Sequence, residues 1–81
     1  MRQSNAATTQ AEVDELVAAA SLPAGYSLQV RPQRRFVNRS LWAVRVKNDG
    51  RPVFGRAFYN PAIGIAVATA VAWGDSARRA A

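Results

Sequence analysis

Residues 40–73 read SLWAVRVKNDGRPVFGRAFYNPAIGIAVATAVAW, and this stretch decides the fold. Trp42, Val44 and Val46 alternate with Ala43, Arg45 and Lys47, which is typical of a strand with one buried face. The Asn-Asp-Gly at residues 48–50 favours a tight hairpin turn, because Asp and Gly tolerate the positive φ that such turns require. The stretch therefore predicts antiparallel strands at residues 41–47 and 51–59.

Alternation in residues 51–59 leaves two candidate faces. One is Val53, Gly55, Ala57 and Tyr59; the other is Phe54, Arg56 and Phe58. We expect the first set to face the helices, because glycine and alanine let a helix approach closely. This choice places Phe54, Arg56 and Phe58 on an open sheet face, and a slip of one residue would reverse it.

A second helix follows the hairpin. Asn60 suits the N-cap and Pro61 the first helical position, and Gly74 is predicted as a left-handed cap after Trp73. One side of this helix carries Ile63, Ala66, Val67, Ala70, Val71 and Trp73. For the other side, two interpretations stay open: its residues are exposed helix formers, or they form a face that packs against a second copy or a partner. The candidate dimer residues are Gly64, Ile65, Ala68 and Ala72.

The N-terminal part of the chain predicts a helix and a strand. Thr9 and Glu12 have capping-box spacing, and an apolar stripe recurs at helical spacing through residues 13–20. Pro23 and Gly25 then end that helix, and residues 26–31 alternate as a half-buried strand. The predicted fold is a single small α+β domain of order αβββα over residues 9–74. Its three-stranded antiparallel sheet carries both helices on one face, between a disordered tail at residues 1–8 and a short tail at residues 75–81.

Composition limits the function classes. The chain has 11 Lys plus Arg against 5 Asp plus Glu, no His and no Cys. No catalytic constellation, metal spacing or phosphate loop is present, so we expect neither an enzyme nor a cofactor or metal. The longest uncharged apolar run, at residues 62–73, is too short to cross a membrane, and residues 1–10 lack an apolar run. These features predict a cytoplasmic protein.

A basic middle segment carries the candidate binding site. Residues 26–60 contain eight cations and one acid, which favours an anionic partner. Arginine beside exposed aromatics suits phosphate contacts with base stacking, and it equally suits an acidic protein surface. Alternatively, Phe54 and Phe58 belong to the core, and the arginines only make the protein surface more soluble. The candidate residues are Arg31, Arg34, Arg35, Arg39, Arg45, Lys47, Phe54, Arg56 and Phe58.

The order of elements resembles a double-stranded-RNA-binding domain. That family carries lysines at the start of its second helix, whereas residues 60–64 here hold no cation. The strands and second helix also resemble plant-type AP2 domains and integrase arm-binding domains, in which a three-stranded sheet reads DNA. Trp42, Arg45, Gly50 and the Ala-rich helix carry this resemblance. This resemblance implies that the residues that read DNA are Arg31, Arg34, Arg45 and Arg56.

Residues 42–74 are similar to small phage-encoded proteins, among them some type I-F anti-CRISPR proteins. The shared pattern is W-x-V-x-V-x-x-D-G-x-x-V, then G-R-A, then an Ala-rich helix that ends in W-G. This resemblance implies a non-enzymatic inhibitor that sterically blocks a host defence nucleoprotein complex in a bacterial cell. The alternatives are a nucleic-acid-binding module that uses a basic sheet face and a structural homodimer.

Overall fold

The computed structural model describes residues 9–36 and 39–80, without the side chains of residues 34–36, 39 and 40. Its elements in chain order are α1 (Gln10–Ala19), β1 (Tyr26–Phe36), β2 (Arg39–Asn48), β3 (Arg51–Phe58) and α2 (Pro61–Ala80). The strands form one antiparallel sheet of order β1-β2-β3. Both helices pack on the same face of it. The predicted αβββα fold is confirmed, and the tail predicted at residues 1–8 lies outside the described residues.

Helix α1 begins with the predicted capping box. Thr9 Oγ1 accepts from the backbone N–H of Glu12 at 3.2 Å, and Thr9 N–H donates to Glu12 Oε1 at 2.8 Å. Both contacts satisfy N–H groups near the helix start. Val13 is fully buried, whereas Leu16 is 40% exposed, so the predicted apolar stripe meets the sheet along one edge only.

The hairpin between β2 and β3 is confirmed. Asp49 and Gly50 have φ of 51° and 84°, the left-handed region that this two-residue turn requires. Strand β1 extends to Phe36, beyond its predicted end at Arg31. Pro32 is tolerated there because β1 is an edge strand and its outer side has no ladder to complete.

The predicted facing of β3 is wrong. Antiparallel partners lie on the same face of a sheet, and Phe58 pairs with Trp42 while Phe54 pairs with Val46. Both β2 partners are buried under the helices, so Phe54 and Phe58 pack against the core. Arg56 lies between them on this helix-covered face.

The physical reason is where the small residues lie. The prediction placed the close approach in β3, at Gly55 and Ala57, but the structure places it in α2, at Gly64. A Cβ on Gly64 would lie 2.7 Å from Cδ1 of Phe58 and 2.9 Å from Cγ2 of Val44. Because the helix supplies the missing volume, the strand can turn its large side chains toward the helix.

The predicted sides of α2 are also reversed. Gly64, Ile65, Ala68 and Ala72 are buried against the sheet, so these candidate dimer residues belong to the core. On the opposite side, Ile63 is 56% exposed. Residues 61–74 of α2 carry no charge on either side, so helical periodicity alone could not choose between the two sides.

The ends of α2 were predicted with unequal success. At the start, Asn60 Oδ1 accepts from the backbone N–H of Ala62 at 3.0 Å, as expected of an N-cap. At the other end, Gly74 does not cap the helix, which continues to Ala80 in place of the predicted tail at residues 75–81. Asp75 anchors these last turns, because its Oδ2 accepts from Tyr26 Oη at 2.5 Å and from Arg79 Nε at 2.8 Å.

A matched pair of glycine substitutions tests the close approach of α2. We expect Gly64→Ala to lower the free energy of unfolding by about 1–3 kcal/mol, because the added methyl group overlaps Phe58 and Val44. Gly74→Ala meets nothing within 4 Å, so its better helix propensity should raise stability by roughly 0.5–1 kcal/mol. Urea denaturation measures both changes. Two stabilising substitutions would contradict this packing.

A second prediction concerns acid unfolding. The hydrogen bond from Tyr26 and, after it, the bond from Arg79 lower the pKa of Asp75. The stabilisation is therefore complete above the ordinary aspartate pKa of about 3.9, and it disappears as pH falls through the lowered pKa. In urea denaturation between about pH 5 and pH 2, we expect wild-type stability to fall more steeply than that of Asp75→Asn. Equal slopes would argue against the anchor.

Candidate functional site

The face of the sheet opposite the helices, termed here the open face, is built from alternate residues of all three strands. Its side chains point away from the core because their neighbours in sequence point into it. No helix covers it within the described residues. It consists of Ser27, Gln29, Arg31, Gln33, Leu41, Ala43, Arg45, Lys47, Gly55 and Ala57.

The charge of the open face has one sign. Arg31, Arg45 and Lys47 are all exposed there. Within residues 9–36 and 39–80, the carboxylates lie elsewhere: three in α1, one at Asp49 in the hairpin turn and one at Asp75 in α2. Asp14 of α1 lines a depression with Gln29 and Arg31 at the β1 edge. The described strands contribute three cations and no acid to the open face, so it presents a positive potential to the solvent.

Arg45 occupies the middle of this surface. It lies on the central strand, with Gln29 of β1 and Gly55 of β3 as its cross-strand neighbours. A Cβ on Gly55 would lie 4.0 Å from Cγ of Arg45, so the arginine stem runs beside bare backbone. With its amide oxygen turned toward Arg31, Gln29 accepts from Arg31 Nε at 3.2 Å and from Nη2 at 3.1 Å. The glutamine thereby orients one of the three cations.

The predicted cations divide into three groups. Arg31, Arg45 and Lys47 lie together on the open face, as expected, and their role in binding stays a prediction. Arg56 lies on the opposite face, where its Cζ is 5.7 Å from the ring centroid of Phe58. The remaining predicted cations are in β1 and β2, but their side chains lie outside those that the structure describes: Arg34, Arg35 and Arg39.

The predicted placement of Phe54 and Phe58 on the open face is wrong, and their role in binding stays a prediction. Phe54 and Phe58 are partly buried against the core, with ring centroids 6.4 Å apart and planes inclined by 32°. In their place the open face carries Gly55 and Ala57, which the sequence argument had assigned to the helix side. The sequence signal for the correct facing of β3 is the spacing of Gly64 and Ala68 in α2, because small residues one helical turn apart leave room for large rings on a facing strand.

Other parts of the described chain offer no second chemical site. No group of three or more His, Cys, Asp or Glu residues in residues 9–36 and 39–80 could hold a metal ion. The search of the same residues found no helix of sufficient length and apolar character to span a membrane. Glu12 and Glu15 border a depression between α1 and the start of α2, which separates the main acidic patch from the open face.

Comparison with known proteins assigns this chain to no family. No family model matches the chain, and searches of curated proteins and of solved structures found no significant similarity. The resemblances drawn from the sequence therefore stay predictions. Functional inference rests on the open face itself.

Proposed function

We propose that this chain is a non-catalytic binding module that holds duplex DNA against the open face. The observation that carries the proposal is the exposed group of Arg31, Arg45 and Lys47 on one sheet face, whose three strands contain no Asp or Glu among the described residues. Arginine and lysine neutralise phosphates and release counterions, which supplies most of the affinity of non-specific DNA binding. Arginine adds a planar fork that fits a phosphate or the edge of a guanine.

The position of the aromatic residues favours a duplex over a single strand. Proteins that hold single strands stack the bases on aromatic rings. Phe54 and Phe58 are turned into the core, and the apolar residues of the open face are Leu41, Ala43 and Ala57. Gly55 and Ala57 occupy the open face of β3 in their place, and the exposed Tyr59 follows just beyond the end of this strand. Cations beside small residues suit the phosphates of a paired double helix.

The form of the surface favours DNA over RNA. The major groove of B-DNA is about 12 Å wide and admits a strand pair, whereas the major groove of A-form RNA is too deep and narrow. Gly55 and Ala57 keep the β3 side of the open face low, so backbone can approach the groove. The helix-led mode of RNA-binding domains requires cations near the start of α2, and residues 60–64 supply none.

A second candidate function uses the same surface against protein. The segment that resembles anti-CRISPR proteins folds into β2, β3 and the part of α2 up to Gly74, and α2 then continues to Ala80. In that function the three cations meet carboxylates on a host defence complex, and the bound domain blocks the complex sterically. The two functions differ in partner and not in binding face.

One charge-matched pair of variants tests the proposed face. Arg45→Gln and Arg56→Gln each remove one exposed positive charge from neighbouring strands, but only Arg45 lies on the open face. We expect Arg45→Gln to weaken binding of a fluorescently labelled DNA duplex several-fold and to lower the log–log salt slope by about 0.9. Arg56→Gln should change both quantities far less. Fluorescence anisotropy over a range of salt concentrations gives them.

Equal losses in the two variants would argue against the open face, because only total charge would then matter. Labelled RNA duplexes and single strands of matched length serve as competitors. Tighter binding to either would contradict the preference for duplex DNA. Wild-type binding that vanishes at physiological salt would favour the acidic protein surface as the partner.

A further inference from the structure

The solvent side of α2 is apolar over most of its length. Residues 61–74 contain no charged side chain. The exposed residues on this side, termed here the outer stripe, are Ile63, Ala66, Ala70, Trp73, Gly74 and Ala77. A helix that borders solvent normally carries charged residues on its outer side, and one that is apolar all round is normally covered.

Two large side chains give the outer stripe an ordered shape. Ile63 is 56% exposed and Trp73 is 49% exposed. Trp73 Nε1 donates to the backbone oxygen of Ser21 at 2.8 Å, which fixes the indole and leaves much of the ring uncovered. The outer stripe is therefore low at Ala66 and Ala70 and higher on either side of them, at Ile63 and at Trp73.

We propose that a second copy of this chain covers the outer stripe, with the two α2 helices packed antiparallel. A two-fold interface requires that residue i contacts residue j and that j contacts i. Ile63 and Trp73 lie equally far along the helix on either side of Ala68, as do Ala66 and Ala70. Antiparallel pairing thus places each Ile63 against Trp73 of the second copy, and the alanines between them let the two helices approach closely.

The charges at the two ends of α2 select this direction. At its C-terminal end, the side chain of Arg78 is 76% exposed and reaches Asp75 only at 3.6 Å. At its N-terminal end, Glu12 and Glu15 border the depression beside Asn60. Antiparallel pairing brings each arginine toward the glutamates of the other copy, whereas parallel pairing would place like charges together.

This interface is separate from the open face, because the core side of α2 contacts the sheet and the outer stripe points away from it. The proposal therefore stands or falls without any nucleic acid. It also differs from the dimer face expected from the sequence, whose residues Gly64, Ile65, Ala68 and Ala72 are buried in each copy.

Sedimentation velocity of the full chain over a range of concentrations tests the pairing. We expect a wild-type dimer, and Ala70→Glu should raise its dissociation constant by more than about tenfold, because a carboxylate would be buried at the centre of the interface. Ala18→Glu adds the same charge to an exposed position of α1 and should leave the dimer intact. Circular dichroism checks that both variants fold. A wild type that stays monomeric at about 100 µM, an affinity weaker than stable interfaces show, overturns the proposal.

A charge exchange tests the antiparallel direction. Arg78→Glu should weaken the dimer by placing carboxylates together, and adding Glu15→Arg to the same chain should restore it. Restoration supports the arrangement, because each copy then offers the complementary pair with reversed signs. A double variant as weak as the single one would overturn it, as would an Ala70→Glu chain that remains dimeric.

Discussion

The close approach of α2 to the sheet at Gly64 is the contact on which the rest of the structure depends. The absence of a Cβ there leaves room for Phe58 and Val44, so the rings of β3 turn toward the helix and complete the core. Because alternate residues of a strand point to opposite faces, the same contact determines what the open face contains. Phe54 and Phe58 of β3 pack against the core, and Gly55 and Ala57 are left on the open face.

Local signals in the sequence predicted much of this fold. The capping pair Thr9 and Glu12, the N-cap Asn60 and the Asp49-Gly50 turn each act within a few residues, so their outcomes could be derived from the chain alone. The alternation of β1 and β2 likewise predicted that Arg31, Arg45 and Lys47 share one face. The common face of these three cations can therefore be derived from the sequence alone, and their role in binding stays a prediction.

The failures share a different cause, since each depended on contacts distant in sequence. Both alternations of β3 contain apolar residues. Because the pairing register shifts beside Val46, counting residues from the hairpin turn does not tell which residues of β3 face the helices. Both sides of α2 are apolar, so only packing against the sheet distinguishes them. Gly74 resembles a cap locally, but the bond from Tyr26 to Asp75, 49 residues apart, holds the helix beyond it.

The domain has two layers, a sheet and a layer of helices, and their outer surfaces have different roles. The open face is basic and polar and suits an anionic partner, whereas the outer stripe of α2 is apolar and suits a second copy. The sheet lies between them, so occupation of one leaves the other accessible. Glu12 and Glu15 of α1 lie beside the start of α2, whereas Asp14 lines a depression with Arg31 at the β1 edge.

The most direct test of the central claim is an amide NMR titration of the chain with a short DNA duplex at physiological salt. We expect the largest shift changes in residues 27–31, 43–47 and 55–57, which form the open face, and small changes in α1 and α2. Changes concentrated in the helices would contradict the claim that the open face is the binding surface, and a spectrum that the duplex leaves unaltered would contradict duplex DNA as its partner.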